Sequence, residues 1–214
     1  ASIIEGLIKK GFRIVEQVDA LKTAVWWSQV DMVKLLIEQG ININEKYSDG
    51  QTPLMYAVSK HEQRIEVAKL LLEKGAEINA QDNEGDTALI IATKSFNANF
   101  VSLLLEHGAN PNLKNKNKDS ALLIAIEKEY EKQIQILLKN GADANEKDKY
   151  GDSLLKKAVE KNNLAYVSLL LEPGAKVKEE YDNMPAFKEA VFWGRTAIVK
   201  LLLENGASSN DTSG

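Results

Sequence analysis

Hydrophobic residues fall in short blocks along the chain, and the blocks end alike. The segments LLIEQGININ, LLLEKGAEIN, LLLEHGANPN, ILLKNGADAN, LLLEPGAKVK and LLLENGASSN place Gly40, Gly75, Gly108, Gly141, Gly174 and Gly206 at successive intervals of 35, 33, 33, 33 and 32 residues. About 21 residues before most of these glycines stands a second block: TPLMYAV from Thr52, TALIIAT from Thr87, SALLIAI from Ser120 and SLLKKAV from Ser153. The Thr or Ser predicts an N-cap, and Pro53 suits a first helical position. Apolar residues then recur at helical spacing, as at Leu54, Ala57 and Val58. After a turn, a second helix with a stripe such as Val67, Leu70 and Leu71 stops at a glycine able to adopt the left-handed cap. Two short helices cannot bury such stripes alone, whereas stacked copies can.

A period near 33 residues with these two signatures resembles the ankyrin repeat family, whose pattern reads D-x-x-G-x-T-P-L-H. DNEGDTALIIAT followed by VSLLLEHGANPN, from Asp82 to Asn112, lies closest to it. The resemblance implies an all-α solenoid of stacked helix-turn-helix units with β-hairpin or loop fingers. It divides one domain, 1–214, into a partial N-terminal cap (1–13, containing IIEGLIKKG) and repeats at 14–46, 47–81, 82–114, 115–147, 148–179 and 180–214.

Departures from the pattern carry expectations of their own. Met55, Ile90, Leu123, Lys156 and Lys188 stand where the family has the histidine of T-P-L-H, so some hydrogen bonding between loops is lost or replaced. The second unit carries extra residues in SKHEQR, 59–64. Lys118 and Asn183 replace the turn glycine of Gly50, Gly85 and Gly151, and lysine tolerates a left-handed backbone poorly, which makes the turn at Lys118 suspect. Pro173 removes an N–H from the last turn of its helix and should end that helix early. With Lys178 in place of the usual asparagine, the sixth unit is expected to sit offset from regular stacking.

Composition narrows the function. At 214 residues and 44% hydrophobic, the chain needs neither metal nor disulfide to fold, and it has no cysteine for thiolate chemistry. Lys plus Arg (27) against Asp plus Glu (31) gives a net charge of -4 with the signs interspersed, which disfavours nucleic acid and anionic membranes as partners. No apolar run approaches the roughly 18–20 residues of a membrane span, and ASIIEGLIKKGF lacks the basic leader and apolar core of an intact signal peptide. A start at Ala1 fits either a cytoplasmic protein or a periplasmic or exported one whose signal has been removed.

Catalytic motifs are missing. His61 and His107 lie in different units, and His107 precedes Gly108, where a helix end favours a cation. Gly151-Asp152-Ser153 is repeat punctuation without G-x-S-x-G context, and no glycine run forms a phosphate cradle. Glu179 and Glu180 read as solvated loop. No enzyme activity, cofactor or metal is expected.

Aromatic placement gives the positive signal. Aligning VDALKTAVWWSQVDMVKLL with the other units puts Leu21, Ala24 and Val25 on the buried stripe and turns Trp26 and Trp27 away from it. The same two places hold Ser59 and Lys60, Lys94 and Ser95, Glu127 and Lys128, Glu160 and Lys161, and finally Phe192 and Trp193. The resemblance places these positions on a concave groove that commonly touches a partner. It projects the loop tips beside the groove: Tyr47, Ser48 and Asp49; Asn83 and Glu84; Lys116 and Asn117; Lys149 and Tyr150; Tyr181 and Asp182. The expected contact set is therefore Trp26, Trp27, Tyr47, Asp49, Lys60, Glu84, Lys94, Lys128, Tyr150, Lys161, Tyr181, Phe192 and Trp193, with aromatic anchors at both ends and a charged middle. The competing reading is that each aromatic pair merely closes an atypical end repeat.

The resulting expectation is a non-catalytic protein-binding module, monomeric on its own. The alternative is an inhibitor or immunity protein that covers the active site of an enzyme such as a cell-wall peptidase or other hydrolase, as some bacterial ankyrin proteins do.

Overall fold

The structure, a computed structural model, describes residues 17–59, 64–177 and 185–208. The N-terminal cap at 1–13, Lys60, His61, Lys178, Tyr181, Asp182 and Asn183 lie outside the described residues. Two compact units divide the chain, 1–110 and 111–214. Helices α1 (Gln17–Trp26), α2 (Val30–Glu38), α3 (Pro53–Val58), α4 (Ile65–Glu73), α5 (Ala88–Lys94) and α6 (Ala98–Glu106) make three contacting pairs in the first unit. The second holds α7 (Ala121–Glu127), α8 (Glu131–Lys139), α9 (Leu154–Glu160), α10 (Leu164–Leu171), α11 (Ala186–Phe192) and α12 (Thr196–Glu204).

Within each unit the first helix of a pair packs on the first helix of its neighbour: α1 on α3 and α3 on α5, then α7 on α9 and α9 on α11. Second helices do the same, α2 on α4, α8 on α10 and α10 on α12. Small residues line the first-helix contacts. Ala24, Ala57, Ala92, Ala125, Ala158 and Ala190 are all buried, next to Leu21, Leu54, Leu89, Leu122, Leu155 and Phe187. The second helices contribute Leu36, Leu71, Leu104, Leu137, Leu170 and Leu202, while Leu70 is only half-buried.

First helices of six or seven residues are too short to persist alone, so their ends are tied down locally. Thr52, Thr87, Ser120 and Ser153 accept through their hydroxyls from the N–H of Met55, Ile90, Leu123 and Lys156, at 3.4, 3.2, 3.0 and 3.1 Å. Second helices end on left-handed glycines. At Gly75 (φ +86) the Gly75 N–H reaches Leu72 O and the Ala76 N–H reaches Leu71 O, the paired closure of a Schellman cap. Pro173 shortens its helix as expected: α10 stops three residues before Gly174, where the other second helices stop two before theirs.

The fingers are loops; among the described residues the only β pairing in them is one isolated antiparallel bridge, Lys147 to Ser153. Four share one turn. The N–H of Gly50, Gly85, Lys118 and Gly151 closes on the carbonyl of Tyr47, Asp82, Asn115 and Asp148, three residues back. Lys118 adopts φ +66 and the turn at this doubtful position forms like the others. It forms because Asn115 Oδ1 accepts from the N–H groups of Asn117 and Asp119, both at 3.0 Å, as Asp82 and Asp148 do in their own loops.

Asparagines four residues past each glycine bind the next repeat. Asn44, Asn79, Asn112 and Asn145 accept through Oδ1 from the N–H of Glu77, Asn110, Asp143 and Lys176, at 2.7 to 2.9 Å. Lys178 stands four residues past Gly174, and a lysine side chain has no acceptor to offer.

Candidate functional site

In the first unit the end of α1 presents both tryptophans outward. Trp27 is 68% exposed and Trp26 is 45% exposed. The covered part of Trp26 lies against Tyr56, ring centroids 6.4 Å apart, and beneath the Arg64 guanidinium, 4.6 Å from the indole. Arg64, itself buried, donates from Nε to Trp26 O and from Nη1 to Tyr56 O at 3.2 and 3.0 Å. Removal from water lowers the pKa of this guanidinium below its ordinary value.

Tyr47 corrects the expectation of an exposed tip residue. It is 7% exposed, with its ring edge-on to Tyr56 at 4.9 Å and Lys22 Nζ over both tyrosine rings, 4.9 and 4.6 Å from their centroids. The cause lies in the turn. Tyr47 holds the place of Asp82, Asn115 and Asp148, so no side-chain acceptor holds this loop from its first residue, and the ring turns inward. Asp49 takes over instead, accepting from Gln51 N–H (3.0 Å) and from Tyr56 Oη (3.0 Å). A Cβ at Gly50 would meet Asn83 at 2.4 Å, because this finger lies against the next. Glu84 is exposed at its fingertip, and Lys94 is bound to Asp86 at 2.5 Å.

The second unit places charges first and aromatics last. Lys128 is exposed; Lys161 pairs with Glu129 at 3.0 Å. Lys157 bridges Asp148 (2.7 Å) and Glu127 (3.7 Å), and Lys156 reaches Asp152 (2.6 Å), which supplies a polar link where the T-P-L-H histidine is absent. Tyr150 is 77% exposed, with Lys149 Nζ 5.2 Å from its ring. Phe192 and Trp193 are 66% and 61% exposed and pack edge to face at 5.1 Å. Trp193 Nε1 donates to Glu189 Oε1 at 2.6 Å, which fixes the indole.

His107 Nδ1 donates to Leu103 O at 2.8 Å, the helix-end role read from its position. The described residues hold no group of three or more His, Asp or Glu able to bind a metal, and no helix among them is long and apolar enough to cross a membrane.

The model for ankyrin repeats (3 copies) matches residues 1–82, 79–148 and 122–213. The chain belongs to the ankyrin repeat family. Ankyrin repeats generally serve as protein–protein interaction modules and are typically non-catalytic. Comparison with curated proteins finds no match.

Within these ankyrin repeats, three contributors escaped the sequence reading. Phe96 is 67% exposed with a left-handed φ of +57, one place beyond the pair that was aligned; Ser28, Glu129, Asn162 and Gly194 share its position. Aligning that third place would have found it. Arg64 and Arg195 each stand eleven residues before their repeat glycine, and both reach back to the preceding repeat. That shared spacing was the available signal.

Proposed function

We propose that the chain is a non-catalytic module that binds a protein partner through the first-helix face of its repeats and the adjoining loop fingers. One observation carries the reading. Trp27, Phe192 and Trp193 each expose more than half of their surface at repeat positions that elsewhere hold Lys, Ser or Glu. Large rings on a rigid support lose little freedom on docking and supply the buried anchors of protein interfaces. In the first unit Trp26, Asp49, Glu84 and Lys94 add polar and aromatic contacts, and in the second Lys128, Tyr150 and Lys161 do so. Tyr47 supports the first unit's face from beneath, its ring edge-on to Tyr56.

The test is capture by the full chain from extracts of its source cell, identification of the prey, and calorimetry with purified prey. Trp27→Ala and Trp193→Ala are each expected to weaken the Kd by about tenfold or more, with an unchanged melting temperature. An unchanged Kd in both variants overturns the proposal. Where the prey is an enzyme, its turnover with and without the chain shows whether docking covers the active site.

A further inference from the structure

We infer that the Phe192–Trp193 face receives a cationic side chain, arginine or lysine, from the protein partner. This rests on the protein-binding reading and adds the chemistry of what docks. Four aromatics elsewhere in the chain already carry an internal cation, with Arg64 over Trp26, Lys22 over Tyr47 and Tyr56, and Lys149 over Tyr150. Among the described residues no cation lies over Phe192 or Trp193, although most of both side chains faces solvent. Trp is the strongest aromatic acceptor for a cation, and here a carboxylate sits on the positive N–H edge of the indole.

The charges nearby point the same way. Glu160 holds the repeat position of Phe192 one unit earlier, on α9, which packs against α11. Among the described residues neither Glu160 nor Glu189 has an ion pair. The neighbouring cations are committed: Lys156 to Asp152, Lys157 to Asp148 and Glu127, Lys161 to Glu129, and Arg195 to the carbonyls of Val159 and Glu160. Lys188, half-buried, is engaged as well. Burial pushes the Glu160 carboxyl up, and the charges of Asp152 and Glu189 add to it against the pull of Lys156 and Lys157. An apolar partner group would deepen that burial and leave the charge unanswered, whereas a cation answers it and gains the ring faces.

The experiment uses the full chain and two short peptides, acetyl-Gly-Arg-Gly-Arg-Gly-amide and its citrulline counterpart, which keeps the shape and removes the charge. Binding is followed by NMR at the Trp193 indole N–H resonance, assigned by its loss in Trp193→Phe. The arginine peptide is expected to shift this resonance saturably, the citrulline peptide to shift it at least about tenfold more weakly, and Glu160→Gln to weaken the arginine response about threefold or more. Equal responses to the two peptides, or no saturable shift, overturn the inference. The two readings fail separately: partner capture that survives Trp193→Ala at this face and Trp27→Ala sinks the docking function, while capture lost in Trp193→Ala without arginine preference sinks only the cation.

Discussion

Arg195 donates from both terminal guanidinium nitrogens to the repeat before it, to Val159 O and, at 2.9 Å, to Glu160 O. These carbonyls end α9, where a helix has acceptors to spare and a negative dipole end. Arg64 does the same for α1 and α3, through Trp26 O and Tyr56 O. Both arginines serve irregular junctions, one where the sequence carries the extra residues 59–64 and one after Pro173. Arg64→Met is expected to cost about 2–3 kcal/mol in urea denaturation, from hydrogen bonds to a charged donor lost in a buried place. It should also free the Trp26 ring, visible as a change in tryptophan emission.

Asn112 couples two fingers with both ends of its carboxamide, Oδ1 accepting from Asp143 N–H at 2.8 Å and Nδ2 donating to Gly141 O at 3.1 Å. Asn112→Ala is expected to lower stability by about 1–2 kcal/mol, and Asn112→Asp, which keeps the acceptor alone, by less. Urea midpoints at constant slope provide the measurement.

Gln133 is 1% exposed, and neither its amide nitrogen nor its oxygen has a hydrogen-bond partner. The equivalent places hold Met32, half-buried, and Val67, Phe100, Tyr166 and Ile198, which are buried. Gln133→Leu is expected to raise stability by about 1–2 kcal/mol, since it removes an unsatisfied buried amide at similar volume. A loss of stability would reveal a partner for this side chain.

The repeat architecture was legible because it rests on local rules. Gly40 to Gly206 and Thr52 to Ser153 punctuate the chain through caps that depend on neighbours a few residues away. The outward turn of Trp27 followed from helix geometry alone. What escaped depends on contacts between repeats. Whether Trp26 is half covered is decided by Arg64, and where Tyr47 goes is decided by Lys22 and Tyr56, once Asp49 has replaced the missing turn acceptor. Lys118 shows the reverse: its unfavourable backbone is stabilised by Asn115, a neighbour plainly visible in sequence and not weighed there.

Acid should weaken the second unit through Asp148. Burial pushes this carboxyl up, but Lys157 and the N–H groups of Asp152 and Tyr150 outweigh it and hold it below the ordinary aspartate range. A lowered folded value means that its stabilisation is complete above the ordinary aspartate value and is lost as pH falls through the folded one. Lys157 mirrors it. Burial pulls it down, the hydrogen bond and charge of Asp148 with Glu127 and Glu160 raise it overall, and its contribution is lost only as pH rises through that raised value. Melting temperatures between about pH 2 and 7 should show a shallower acid decline in Asp148→Asn than in the wild type.

The buried alanine that recurs in every first helix sets the pitch of what is displayed. These alanines are at most 1% exposed, between first helices that pack on one another within a unit, so a larger side chain there would strain the packing. Within each unit, outward side chains at equivalent places therefore stand side by side like teeth on a comb. Exchanging one tooth, a lysine for a tryptophan, alters what the comb can grip without moving its neighbours, so new binding specificity is open to change at the surface while the frame stays as it is.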